Sequence, residues 1–141
     1  MLKKLFFICC VAVLLTACPE PLPEDDAYLR IVNNSEEDVF WFFSFERFGE
    51  WNEMTSVDVD SWLKKQETYI ILRRNTHIRG FNSSATKENL RRGWIKYYLF
   101  NYDSVKTIPW ERIREERIIL KEVRFDTWED FERCNFEITY P

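Results

Sequence analysis

The sequence predicts a mainly β domain, between all-β and α+β: a small antiparallel β-sandwich, or a sheet with two or three short helices in its connections. Three observations predict it. Short runs of β-branched and aromatic residues recur along the chain, separated by segments of turn composition. Helical signals are confined to short stretches that begin with capping residues. Only three glycines serve 141 residues, which favours longer connections over tight glycine hairpins. A hydrophobic content of 45% with 17% aromatics supplies a core and argues against wholesale disorder.

In chain order, Tyr28 to Val32 reads as a strand closed by the turn composition Asn33-Asn34-Ser35. Asp38 to Glu46 holds Val39, Phe40, Trp41, Phe42, Phe43 and Phe45 without a polar alternation. Such a run suits a strand buried on both faces, or one with a face in the core and the other against a helix or partner. Residues 47–67 form a connection of uncertain structure, with one helical turn expected at Ser61-Trp62-Leu63-Lys64-Lys65. Thr68 to Arg73 is β-branched and apolar, hence a strand. Ser83 to Arg92 suits a short helix ended by Gly93. Trp94 to Tyr102 is dense in aromatics and reads as a strand.

The last third is more explicit. Thr107-Ile108-Pro109-Trp110 has the form of a helix entry, with Thr107 as cap and Pro109 in the first turn. Arg117 to Arg124 reads as a strand. Thr127 followed by Asp130 fits a capping box and opens a second helix whose Trp128 and Phe131 share a face. Phe136-Glu137-Ile138-Thr139-Tyr140 alternates cleanly and predicts a final strand with one buried face. The chain has no solenoid-type repeat.

Before these elements stands a different kind of segment. Met1-Leu2-Lys3-Lys4 is basic, Leu5 to Leu15 is uninterruptedly apolar, and Thr16-Ala17-Cys18 follows. A basic start, a short apolar run and a small-residue cleavage site describe a secretory signal. The run is shorter than the ~20 residues that span a bilayer. Leu15-Thr16-Ala17-Cys18 resembles the bacterial lipobox. That resemblance implies cleavage between Ala17 and Cys18, a diacylglyceryl thioether on Cys18 and acylation of the new amino terminus. Two or more acyl chains, at ~0.8 kcal/mol per buried CH₂, anchor a protein stably where one does not. The expected organisation is a signal over 1–17, an acidic proline-rich tether over 18–26 and one β-rich domain over 27–141.

In the tether, Pro19-Glu20-Pro21-Leu22-Pro23-Glu24-Asp25-Asp26 is stiff and extended because proline restricts the backbone and removes donors. Its acids resemble the export signal that some Bacteroidetes lipoproteins carry after the lipidated cysteine. The lipobox, the Ile31-Val32-Asn33-Asn34-Ser35 strand end and the tail from Thr127 to Pro141 together resemble small, largely uncharacterised lipoproteins of the Bacteroidetes. In those a short helix, an Asn-aromatic pair and a terminal Tyr-Pro close the domain; here the counterparts are Thr127 to Arg133, Asn135-Phe136 and Tyr140-Pro141. Phe136 stands where the pattern has Trp, and a proline-aspartate segment after the second strand is missing. The resemblance implies a β-rich fold and an outer-membrane, lipid-anchored location, with the periplasmic and cell-surface sides both open. It implies no activity.

Composition narrows function. The formal charge of the chain is −4, and removing residues 1–17 takes away Lys3 and Lys4 and no acid, which moves it to −6. There is no basic footprint for nucleic acid. Of four cysteines, Cys9 and Cys10 lie in the expected signal and Cys18 is the lipid site that the lipobox resemblance implies, so no disulfide partner is expected for Cys134. A lone cysteine with no nearby histidine reads as a small buried apolar residue rather than a nucleophile. His77 is the only histidine and lacks partners at metal-ligand spacing, so neither a metal nor another cofactor is expected.

Glu115-Glu116 and the group Glu129, Asp130 and Glu132 have the residue types of paired catalytic carboxylates, yet on short helices they read as solvated faces and dipole partners. Ser83-Ser84 has no nucleophile-elbow context. Arg73-Arg74 and Arg91-Arg92 read as strand-end and helix-face charges.

The enriched feature is aromatic: 6 Trp, 6 Tyr and 12 Phe. Most must be core. Trp51 and Trp62, in the uncertain connection, are the candidates for an exposed binding surface. The expected role is therefore non-catalytic: a membrane-anchored structural or protein-interaction domain, held through lipid on Cys18 and contacting an envelope protein. The alternative is a small glycan-binding module built on exposed aromatic rings.

Overall fold

The computed structural model describes residues 25–46, 56–64 and 69–141. Seven strands lie among them: β1 (Ala27–Asn33), β2 (Val39–Phe45), β3 (Ile70–Ile71), β4 (Asn75–Phe81), β5 (Ile95–Asn101), β6 (Lys121–Phe125) and β7 (Glu137–Tyr140). Five short helices accompany them: α1 (Ser56–Leu63), α2 (Ser83–Arg91), α3 (Tyr102–Thr107), α4 (Trp110–Glu116) and α5 (Trp128–Arg133). The expectation of two or three helices is exceeded, and the fold is a sandwich-like α+β arrangement.

The strands form a three-stranded sheet of order β4-β1-β7 and a four-stranded sheet of order β3-β2-β5-β6. Every pairing is antiparallel except β1 with β7, which run parallel. Alternation of side chains along each strand then builds two cores. Trp41 of β2 and Tyr97 and Leu99 of β5 point between the sheets, where they meet Leu29 and Ile31 of β1 and Ile138 of β7. The intervening residues Phe40, Phe42, Tyr98 and Phe100 point the other way. There they pack under Val59 of α1, Val105 of α3, and Trp110 and Ile113 of α4. Phe42 and Phe100 stack at 5.5 Å, and Trp110 meets both rings edge-on. The unbroken apolar run of β2 thus has its cause: one face lies in the sandwich and the other under helices.

Local signals explain three of the five helix starts. Asn82 Oδ1 accepts the Ala85 N–H at 2.9 Å at the head of α2, and Asn101 Oδ1 accepts from Ser104 at 2.8 Å at the head of α3. Both satisfy otherwise orphaned donors. At α5 the Asp130 carboxylate reaches back to the Thr127 N–H at 2.9 Å and the Asp126 N–H at 3.0 Å, as the capping-box spacing predicts. These amides hold the Asp130 carboxyl below its ordinary pKa.

Thr107 does not cap the helix that follows it. It ends α3 with its hydroxyl on the Asp103 carbonyl at 2.7 Å, and Pro109 is the cap residue of α4. The reason is that Asn101, six residues upstream, starts a separate helix that Thr107 ends.

Four further differences have physical causes. The strand expected over Thr68 to Arg73 is paired only at Ile70 and Ile71, because the chain turns at Arg74, whose φ is 53°. The strand expected from Arg117 begins at Lys121: Arg117 adopts φ 53° to end α4, and Ile118 and Ile119 pack into the helical core. Strand β4 was not anticipated; its residues Asn75 to Phe81 are mixed in polarity and owe their conformation to pairing with β1. The tail strand begins at Glu137 rather than at Phe136, because Asn135 (φ 53°) and Phe136 (φ 54°) still turn the chain; within it Ile138 is buried as the alternation predicts, and Phe136 and Tyr140 pack against the same cluster.

Asn33 joins the sheets. Its Nδ2 donates to the carbonyls of Glu37 (2.7 Å), Ile71 (3.2 Å) and Leu72 (3.2 Å), while its Oδ1 accepts from the Ser35 N–H and hydroxyl. The Asn-Asn-Ser turn therefore also ties β1 to the edge of the other sheet.

Candidate functional site

The two sides of the sandwich are closed differently. On one, Lys121 Nζ of β6 donates to the Thr139 carbonyl of β7 at 2.6 Å. On the other, β3 pairs only with Val39 and Phe40. Beyond that short pairing, inward side chains of β4 lie across the rings of β2. The His77 ring centroid stands 5.1 Å from that of Trp41. The Arg79 guanidinium lies 4.2 Å from the Phe43 centroid and 5.7 Å from that of Trp41, both within cation–π range. No carboxylate pairs with Arg79 among the described residues; ring faces carry its charge instead.

A cavity of about 430 Å³ opens on this side. Ile70, Ile71 and Leu72 supply apolar walls, and Asn75, Thr76, His77 and Tyr102 bring polar groups to it. Burial, and secondarily the Arg79 charge, push the His77 pKa below its ordinary value of 6.5. The imidazole is therefore neutral at pH 7, able to donate from one nitrogen and accept at the other. Tyr102 is held by its N–H on the Asp38 carbonyl at 2.9 Å and has Lys106 Nζ 4.1 Å from its ring centroid. Behind His77, the fully buried Trp41 keeps an indole N–H with no acceptor among the described residues. Burial also raises the pKa of the Tyr97 phenol, which stacks beside Trp41 on the neighbouring strand. The chemistry on offer is recognition of a ligand with apolar surface and hydrogen-bonding groups.

A second cavity, of about 420 Å³, lies between α2 and the start of α5. Leu90 and Trp128 form its apolar part, and Lys87 Nζ sits 4.4 Å from the Trp128 ring centroid.

Of the residues singled out from sequence, Ala17, Cys18 and Trp51 lie outside the described residues, as do the signal and most of the tether. Trp62 is half-buried on α1, 5.0 Å from Phe42 and 5.8 Å from Tyr69 between ring centroids, at the border of the helical core. It is not part of the His77 cavity. Cys134 is half-buried, with its thiol on the Phe131 carbonyl at 3.2 Å.

Three of the five helix acids are engaged locally. Glu116 pairs with Arg112, Asp130 caps α5, and Glu132 accepts the Trp128 indole N–H at 2.8 Å. Ser83 donates through its N–H (2.6 Å) and hydroxyl (2.7 Å) to Asp26, which lowers the pKa of that carboxyl. Arg73 meets Asp38, Arg74 meets Glu36, and both Arg91 and Arg92 meet Glu88. Among the described residues no group of three or more His, Cys, Asp or Glu side chains is placed to hold a metal ion. No described helix is long and apolar enough to cross a membrane.

Sequence reasoning missed the grouping of Trp41, Phe43, His77 and Arg79. One signal was present: His77, Arg79 and Phe81 share a period of two, the mark of residues on one face of a strand.

Comparison with family models, with curated proteins and with solved structures finds no match to this chain.

Proposed function

We propose that this protein is a lipid-anchored domain of the outer membrane with a non-catalytic, protein-interaction role. The anchor is supported by Leu15-Thr16-Ala17-Cys18 and the basic, apolar segment before it, and the likeness to small Bacteroidetes lipoproteins belongs to the same proposal. The observation that carries the interaction role is the outer face of the three-stranded sheet. The four-stranded sheet has helices on its outer face; among the described residues this one has none. Tyr28 and Ile78 stand there 59% and 61% exposed. Tyr28 lies opposite Gly80 and Ile78 opposite Arg30, so the two apolar side chains are diagonal neighbours on one face. Uncovered apolar surface of this kind marks sites where proteins meet.

Two measurements test the proposal. Cys18→Ala should abolish incorporation of a clickable fatty acid, and unchanged labelling would refute the anchor. A photo-crosslinking amino acid in place of Tyr28, irradiated in the native envelope, should give one discrete protein adduct. A glycan-binding role is the second reading, favoured by the polar rim of Asn75, Thr76, His77 and Tyr102 over apolar walls. Retardation of the protein in glycan-containing gels, lost in His77→Ala and without any adduct at position 28, would select it.

A further inference from the structure

The hydrogen-bonding direction of β4 can be followed from its neighbour. The N–H groups of Arg30 and Asn34 donate to carbonyls of Phe136 and Tyr140 on the β7 side. Even-numbered residues of β1 therefore face β7, and odd-numbered ones face β4. Given the register Leu29↔Arg79 and Ile31↔His77, odd-numbered residues of β4 point their backbone groups at β1. Those of Thr76, Ile78 and Gly80 point away from the sheet. Thr76 N–H is taken by Asn75 Oδ1 at 2.8 Å. The N–H and C=O of Ile78 and Gly80 have no strand partner among the described residues. An unpaired seven-residue edge without proline, lysine or bulge is a template for another strand.

Resting on the protein-interaction reading, we infer that β4 accepts an extended segment of a partner protein, paired antiparallel along Ile78 and Gly80. That segment carries an acidic residue opposite Arg79 and, two positions later, a large apolar residue opposite His77. The inward-facing side chains specify it. Arg79 lies on the rings of Trp41 and Phe43 without a described carboxylate, so a carboxylate beside it gains an ion pair. The residue opposite His77 comes to the cavity walled by Ile70, Ile71 and Leu72, where neutral imidazole tolerates an apolar neighbour. Main-chain bonds supply affinity and these two pockets supply specificity. A second copy of this chain does not meet the requirement. Two β4 strands centred on Ile78 would set His77 against Arg79, with neither an acid nor an apolar group in place.

The test uses the detergent-solubilised full chain and a blocked peptide, Thr-Val-Glu-Val-Leu-Val-Thr. Calorimetry should detect binding, and saturating peptide should slow hydrogen exchange at the Ile78 and Gly80 amides. Replacing the peptide's Glu by Lys should weaken binding by about tenfold or more, and Arg79→Glu should reverse that preference. Ile78→Pro removes an edge donor, which an edge strand tolerates, and should abolish binding with the circular dichroism spectrum unchanged. No protection of the two amides overturns the inference. So does tighter binding by Arg79→Ala, which would make Arg79 a guard against strand addition, or a chain that sediments as a β4-paired dimer. A protein adduct at position 28 with no peptide binding overturns the strand inference alone. Absence of both removes the interaction reading with it.

Discussion

The central strands of the four-stranded sheet, β2 and β5, are buried on both faces, whereas the three-stranded sheet is buried on one. In β2 the consequence is a run from Val39 to Phe42 with every residue buried, while β1 alternates buried Leu29 and Ile31 with exposed Tyr28 and Arg30. The same chain thus contains one sheet that cannot change without disturbing two cores and another with a face in solvent. Stability concentrates in the first and opportunity for binding in the second. The Lys121–Thr139 clasp closes one side, and the rings under His77 and Arg79 are covered by side chains rather than by a paired strand.

The sharpest test of this contrast is Phe42→Ala. Its ring is 1% exposed and touches Trp62, Tyr98, Phe100 and Trp110. The cavity left behind should cost about 3–5 kcal/mol, measured by urea denaturation. A loss under about 1 kcal/mol, the range of near-neutral changes, would mean that the helical layer does not rely on this face. Asn33→Ala comes next, because it probes the tie between the sheets. Removing the carboxamide takes the side-chain donor from the buried Ile71 carbonyl, while the Leu72 carbonyl keeps the Asn75 N–H, so the loss should be about 1–3 kcal/mol, the cost of one unsatisfied group. Faster hydrogen exchange at β3 should accompany the loss; unchanged exchange would show that the tie is dispensable. The smallest effect belongs to the open face. Ile78→Thr keeps a β-branched residue at an exposed position and should shift stability by no more than about 0.5 kcal/mol. A drop comparable with that of Phe42→Ala would mean that this face is covered in solution.

Much of the architecture was legible because its causes are local. The continuous apolar run of β2, the alternation of Phe136 to Tyr140 and the Thr127–Asp130 cap all depend on residues within a few positions of one another. Two errors have the same origin as these successes. Thr107 looked like a cap because it precedes proline, but Asn101 had already begun a helix upstream. The strand expected through Arg73 stopped early because the chain turns at Arg74, beside a tie that Asn33, far away in sequence, makes to the carbonyls of Ile71 and Leu72.

The candidate site was not legible for a related reason. Trp51 and Trp62 were chosen as aromatics in a connection, and Trp62 lies against Phe42 and Tyr69. The rings that border the cavity, Trp41 and Phe43, sit in the most apolar strand of the chain and read as core. Only the crossing of β4 over β2 brings His77 and Arg79 onto them, and that crossing follows from the Leu29↔Arg79 and Ile31↔His77 register. By itself the sequence determined a β-rich domain, a doubly buried second strand and a capped last helix. Those features rest on periodicity and on contacts between neighbours in the chain. Tertiary structure alone decided that β7 runs parallel to β1, that β4 is a sheet edge among the described residues and that a cavity opens beside it. These depend on which distant strands pair and in what register, and no local run of residues encodes that choice.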